Sequence, residues 1–211
     1  MKTDIILAGV GGQGILSIAT VIGQAALEEG LYIKQAEVHG MSQRGGDVQS
    51  NLRISDKPIA SDLISLGQAD VIIAMEPMEA LRYKEYLKMG GWVITSSNPF
   101  VNIPNYPDKD AILAELRELE NVVLIDTEKI GAENKMAKSV NMILLGAASR
   151  ALQSISFEKL CASVRTIFGA KGDAVVEMNI KALEIGRACE QFLAVGCWLL
   201  AAVRNVGCWR N

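Results

Sequence analysis

Cysteine is scarce in this chain, and none of it is paired at short range. Cys161, Cys189, Cys197 and Cys208 all fall in the last quarter of the 211 residues, and no two form a Cys-x-x-Cys pair. Iron–sulfur and zinc sites need several thiolates brought close, usually through such pairs. No metal site is therefore expected, and the cysteines read as free, mostly buried thiols of a reducing compartment. Aromatics are thin, at 5%, which argues against a base-stacking surface for nucleic acid. A net charge of −3 without a long basic run argues against nucleic acid or an anionic membrane as main partner. Long apolar runs are missing too. Ile5 to Val10 is too short for a signal core, and glycines stand where a cleavage site would be. Even the tail stretch Phe192 to Val203 falls short of the roughly 20 residues of a membrane helix. A soluble, cytoplasmic protein is expected.

Apolar residues are plentiful. They make up 50% of the chain against 21% charged, enough for a well-buried core. The length suits one α/β domain, with or without a small helical appendage.

Asp4 to Ala8 reads as a buried strand, Gly9-Val-Gly-Gly-Gln-Gly14 as a turn, and Ile15 to Glu29 as a helix closed by Gly30. Gly9, Gly11 and Gly14 fit G-x-G-x-x-G. Such a turn either lets backbone approach a phosphate at a helix N-terminus or simply packs the helix on the sheet. Leu31 to Val38 and Asp47 to Ile54 read as strands two and three. They follow too closely for a crossover helix, so an antiparallel pair in a mixed sheet is expected. In the third strand, Val48, Ser50, Leu52 and Ile54 alternate with Asp47, Gln49, Asn51 and Arg53, giving a core face and a polar one. Arg53 on that polar face suits pairing at an interface.

Ile59 to Ser65 reads as a short strand or a link. Ala69 to Met75 is a strand apolar on both faces. A helix is expected from Glu76-Pro-Met-Glu through Lys88, ended by Gly90-Gly91, with a strand at Trp92 to Thr95. Ser96 to Asp108 is the longest loop. Asn98 opens it at the carboxyl end of a strand, where open sheets collect ligands. Asp110 to Glu120 is amphipathic, and Asn121 to Asp126 is the last strand. Helices follow over Met136 to Leu152, from Ser156 as N-cap, and from Gly172 or Asp173 through Arg187. Beyond Glu190 the composition turns apolar, and Val195-Gly-Cys-Trp198 recurs as Val206-Gly-Cys-Trp209. The chain divides into a domain of residues 1–190 and a tail of 191–211. The fold class is α/β: a Rossmann-like layered fold with a mixed, mainly parallel sheet and a C-terminal helical segment.

The functional interest centres on Glu37-Val-His-Gly-Met-Ser-Gln-Arg-Gly-Gly46, which holds the only histidine. Arg44, on a glycine-flanked loop, can grip a carboxylate or phosphate with two prongs, or form a structural salt bridge. His39 can carry a proton near neutral pH or make a simple polar contact. Gly45 and Gly46 permit unusual backbone angles. Ser42 and Gln43 supply hydrogen bonds to a ligand or brace the loop. Glu37 stands where a dinucleotide fold places its ribose-binding acid, so a free-standing dinucleotide-binding oxidoreductase using Gly9, Gly11, Gly14 and Glu37 is a rival reading.

Gly9-Val-Gly-Gly-Gln-Gly14 followed by Gly40-Met-Ser-Gln-Arg-Gly-Gly46 resembles the gamma-type subunit or domain of the 2-oxoacid:ferredoxin oxidoreductases. Within it, the likeness is greatest to the small, beta subunit of the indolepyruvate enzymes. It covers roughly residues 3–190 and includes the Ala69-Asp-Val-Ile-Ile-Ala74 strand and Asn141. The resemblance implies one part of an enzyme that oxidatively decarboxylates 2-oxoacids with thiamine diphosphate, passes electrons through iron–sulfur clusters to ferredoxin, and delivers the acyl group to coenzyme A. This chain lacks the Gly-Asp-Gly segment with paired asparagines that holds magnesium and thiamine diphosphate. Those cofactors and the clusters are expected in a large partner subunit, leaving this chain inactive alone. Coenzyme A is the one cofactor this chain is expected to touch, through Gly9, Gly11, Gly12, Gln13, Gly14, Ser42, Gln43, Gly45 and Gly46, unless these face the partner. Arg44 and His39 are the catalytic candidates. Ferredoxin is met through the complex, a homodimer stays open for the isolated chain, and a purely scaffolding subunit is a further alternative.

Overall fold

The computed structural model describes residues 1–40 and 45–189. Six strands form one sheet: β1 (Lys2–Val10), β2 (Tyr32–His39), β3 (Asp47–Ser55), β4 (Ala69–Ala74), β5 (Leu87–Ser96) and β6 (Val122–Ile125), in the order β2-β3-β1-β4-β5-β6. β3 is antiparallel to both β1 and β2, while β1, β4, β5 and β6 run parallel. The tight β2–β3 spacing therefore does produce an antiparallel pair, and the sheet is mixed as expected. Among the described residues there are seven α-helices: α1 (Ile15–Glu28), α2 (Pro77–Arg82), α3 (Lys109–Arg117), α4 (Thr127–Glu133), α5 (Val140–Ala148), α6 (Phe157–Phe168) and α7 (Asp173–Ala188).

The helices cover the sheet unequally. Ile5, Leu7, Leu52, Ile54, Val71, Ile73 and Ile94 pack with α1, α5, α6 and α7 in the larger core. Ile6, Ala8, Ile72, Ala74 and Val93 point the other way, toward Ala80 of α2 and Ile112, Leu113 and Leu116 of α3. Burial on both faces explains the unbroken apolar runs of β1 and β4. α1 ends in a Schellman closure: Gly30, at φ 70, donates to the Leu27 carbonyl, and Leu31 donates to that of Ala26.

The polar face of β3 is not an outer surface. Asn51, buried, accepts from the Ile64 amide at 3.1 Å. Arg53 donates to the fully buried Asp4 at 2.9 Å and to the Ser61 and Leu63 carbonyls, each at 2.9 Å. Residues 59–65 are thus an irregular cover rather than a strand, and Arg53 pairs within the chain rather than at an interface.

Two helix expectations fail for tertiary reasons. The helix from Glu76 stops at Arg82, a 3-10 turn spans Lys84–Tyr86, and β5 begins at Leu87. The Tyr83 hydroxyl donates to Asp47 at 3.2 Å, which fixes the end of α2 beside β3 and turns the chain back to pair beside β4. Gly90, at φ 73, lies inside β5 instead of ending a helix. The second helix shortens from 136–152 to α5. Lys135 adopts φ 56 and the Met136 amide returns to the Gly131 carbonyl, so this stretch closes α4 before α5 begins. The apolar tail 191–211, with its Val-Gly-Cys-Trp repeat, lies outside the described residues.

Candidate functional site

Two glycine segments meet at the carboxyl end of β1. The Gly11 amide donates to the Gly46 carbonyl at 2.8 Å, and the Gly45 amide to the Gly11 carbonyl at 3.3 Å. Gly45 sits at φ 78, in the left-handed region. Beside this junction lies a cavity of about 460 Å³, lined by Val10, Gly11, Gly12, Gly14, Ile15, Leu16, Glu37, His39 and Val48. The sequence places the two motifs well apart; the sheet order brings them together, with Gly45 and Gly46 bonded to Gly11 but not themselves lining the cavity.

The turn is built from its own polar groups. Gln13 folds its Oε1 back to accept from the Val10 amide at 2.8 Å. Gly9 belongs to β1, paired with Val48, and a Cβ there would fall 2.7 Å from Ile15 Cδ1. Gly9 and Gln13 therefore shape the turn, and neither lines the cavity. Gly12 has open space where a side chain would stand. Gly14 caps α1 at φ 84, and its carbonyl accepts from Asn141 Nδ2 at 3.2 Å. Helix geometry leaves the Ile15 and Leu16 amides without intrahelical carbonyls, and both residues line the cavity.

His39 is exposed, with Nδ1 at 3.0 Å from the Gly40 carbonyl. A carbonyl can only accept, so that contact favours the tautomer with its proton on Nδ1. Glu37 and His39 stand on the same face of β2 at the cavity rim. Met41, Ser42, Gln43 and Arg44 lie outside the described residues. Asn98 is turned inward to brace the sheet end. It donates to Asp126 at 2.9 Å and accepts from the Glu128 amide at 3.0 Å.

Several polar groups near the junction carry no sequence motif. Asn102 donates from Nδ2 to the Gly45 carbonyl. Glu76, with 0% exposure, accepts from the Glu79 amide at 2.9 Å, from the Phe100 amide at 3.4 Å, and from the Tyr106 hydroxyl. Burial, then the bond to Glu76, pushes the Tyr106 phenol above its ordinary value. Burial and then the Asp47 carboxylate do the same for Tyr83. Burial also raises the Glu79 carboxyl, against the opposing pull of Arg82 at 2.8 Å. The contacts of Glu76 with Phe100 and Tyr106 and of Asn102 with Gly45 span 24 to 57 residues, which hides them from any local reading. Only the Pro77 that follows Glu76 signals a helix start.

Among the described residues no group of three or more His, Cys, Asp or Glu is placed to hold a metal. Nor is any helix there long and apolar enough to cross a membrane. Cys161 is buried and Cys189 half-buried, and burial raises both thiols.

The family model for pyruvate ferredoxin/flavodoxin oxidoreductase matches residues 4–189. The indolepyruvate oxidoreductase subunit IorB of Pyrococcus horikoshii is 36% identical over 90% of this chain and 97% of its own length. Among solved structures, the 2-oxoglutarate:ferredoxin oxidoreductase from Magnetococcus marinus, with 2-oxoglutarate, coenzyme A and succinyl-CoA bound, superposes at a TM-score of 0.70 with 26% identity. The match covers 92% of this chain but only 31% of that longer one. The gamma subunit of a keto/oxoacid ferredoxin oxidoreductase from Geobacter sulfurreducens shares the fold at a TM-score of 0.66 and 24% identity, covering 92% of this chain and 99% of that one. β2 also lies beyond β3 rather than beside β1, unlike the parallel second strand of a dinucleotide fold. The chain belongs to the pyruvate ferredoxin/flavodoxin oxidoreductase family.

Proposed function

We propose that this chain is the small subunit of an indolepyruvate-type 2-oxoacid:ferredoxin oxidoreductase, and that the cavity beside its two glycine segments receives coenzyme A. Residues 1–190 form the family domain and 191–211 an appended tail. The enzyme oxidatively decarboxylates an aryl 2-oxoacid, passes the electrons to ferredoxin and transfers the acyl group to coenzyme A. A larger subunit holds thiamine diphosphate, magnesium and iron–sulfur clusters, which supply the decarboxylation and electron-transfer chemistry. The small subunit is inactive without it.

The observation that carries this reading is the Gly11–Gly46 junction. Its Gly11 lines a cavity of about 460 Å³ that also takes in Gly14, Ile15 and Leu16 at the start of α1. Backbone donors at a helix start suit an anionic group, while Val10, Ile15, Leu16 and Val48 offer an apolar wall to the rest of an extended ligand. The presence of coenzyme A in the Magnetococcus structure supports the choice of ligand. Arg44 is the candidate for gripping a carboxylate or phosphate, and His39 for accepting or passing a proton.

The reading is tested by titrating the purified chain, alone and co-purified with its large partner, with coenzyme A, NAD(H) and NADP(H). Saturable coenzyme A binding that Leu16→Arg weakens about tenfold or more is expected. Tight NAD(H) binding with nicotinamide-dependent activity would overturn the proposal. Coenzyme A binding to the complex that ignores Leu16→Arg would assign this chain a scaffolding role.

A further inference from the structure

The loop between β5 and α3, residues 97–108, is anchored at its start by Asn98 and at its end by the Asp108 cap, but its middle has few apolar contacts. Phe100, Val101 and Ile103 are 43%, 67% and 38% exposed, and only Tyr106 packs partly against the smaller core. One buried carboxylate gathers it. Glu76 accepts from the Phe100 amide and from the Tyr106 hydroxyl through the same oxygen, Oε1, so two points of the loop converge on one atom. Its other oxygen, Oε2, caps α2 through the Glu79 amide. Between the two tethered residues, Asn102 reaches across to donate to the Gly45 carbonyl. That residue's own amide is bonded to Gly11 in the glycine turn. A continuous run of hydrogen bonds therefore joins the end of β4, the loop, the second glycine segment and the cavity wall.

We propose that Glu76 is a positioning residue for the coenzyme A cavity, acting through the loop and Asn102 to hold Gly45 and Gly46 against the glycine turn. It touches no ligand. Glycine backbone is free to leave the left-handed conformation seen at Gly45, so the segment needs an external tie to stay bonded to Gly11, which lines the cavity. Asn102 supplies that tie, and Glu76 fixes where Asn102 stands. The inference rests on the cavity being the coenzyme A site, and its test separates the two.

Three variants read it in the assembled enzyme. Tyr106→Phe removes a donor to Oε1 and leaves the α2 cap intact. Asn102→Ala removes the tie, and Asn102→Asp keeps its shape without a donor. Asn102 is exposed, so its variants should fold normally. Each is expected to raise the KM for coenzyme A by about three- to tenfold, the worth of one hydrogen bond, with kcat and the KM for the 2-oxoacid within about twofold. In the isolated chain, amide exchange across residues 45–47 should speed up in all three. Unchanged coenzyme A KM in these variants, where Leu16→Arg raises it, would overturn the positioning role and leave the cavity assignment standing. No effect of Leu16→Arg would instead remove the cavity assignment. Unaltered exchange at residues 45–47 would overturn the tie itself, whatever the ligand.

Discussion

Asn141 on α5 and Gly14 at the start of α1 are 127 residues apart in sequence, yet the asparagine amide donates to the glycine carbonyl at 3.2 Å. A Cβ on Gly14 would stand 2.7 Å from that same nitrogen. The helical half of the chain thus grips the glycine turn at the one residue whose backbone, at φ 84, admits no side chain easily. Gly14→Ala should destabilise by about 1–3 kcal/mol through strain and crowding. In an Asn141→Ala background the same substitution should cost less, because the crowding partner is gone. A denaturant double-mutant cycle measures the difference. Strictly additive effects would refute the contact.

The crossing of α5 and α7 depends on two glycines. A Cβ on Gly146 would lie 2.1 Å from the Leu183 carbonyl oxygen, and one on Gly186 would lie 1.8 Å from that of Ile143. Both obstacles are backbone, so neither can rotate away. Gly186→Ala is expected to cost about 3 kcal/mol or more, which for a domain of this size lowers Tm by about 6–12 °C. Calorimetry would show it. Gly169→Ala is the control, since nothing stands within 4 Å of its Cβ position.

The Asp4–Arg53 pair closes the far end of β1. Asp4 is fully buried and Arg53 binds it through Nε at 2.9 Å and through Nη2 at 3.1 Å. Lys2 also reaches Asp4, at 2.6 Å, but from a half-exposed position. Arg53→Met strands most of a buried charge and removes the bonds to residues 61 and 63, so a loss of about 3 kcal/mol is expected. Replacing both Asp4 and Arg53 by apolar residues should cost less than Arg53→Met alone. Urea melts of the two variants decide this.

Asp126 gives the fold a signature at low pH. Its carboxylate accepts the Lys129 amide at the start of α4 and the Asn98 side chain, and these bonds, the backbone one first, hold its pKa below the ordinary aspartate value. A carboxyl depressed by folding contributes stability above its unfolded value and loses it as pH falls through the lower folded one. Asp126→Asn should therefore be less stable than the natural chain at pH 6, with the gap closing below about pH 3.8. A gap that persists unchanged at pH 2 would contradict this.

How much of this was legible in the chain depends on range. Gly9 to Gly14 announced strand, turn and helix because each signal is local. The short β2–β3 spacing excluded a crossover, and the antiparallel pair followed. Leu87 and Lys88 continue a helical pattern in sequence, while the Tyr83–Asp47 bond that ends α2 and turns the chain spans 36 residues. Arg53 suits an outside partner by sequence because nothing near it reveals Asp4, 49 residues away. The site was legible in its glycines and not in its supports. Glu76, Asn102 and Tyr106 act through contacts between elements, and only the fold brings those elements together.

The central claim is that this chain is one indispensable part of an oxidoreductase that uses aryl 2-oxoacids. The direct measurement is ferredoxin reduction by the thiamine-diphosphate and iron–sulfur subunit, assayed with and without this chain, with indolepyruvate and coenzyme A supplied. The account predicts coenzyme A-dependent ferredoxin reduction only when both subunits are present, and little with this chain or its partner alone. Full activity of the large subunit without this chain, or none from the pair on any 2-oxoacid, would contradict it.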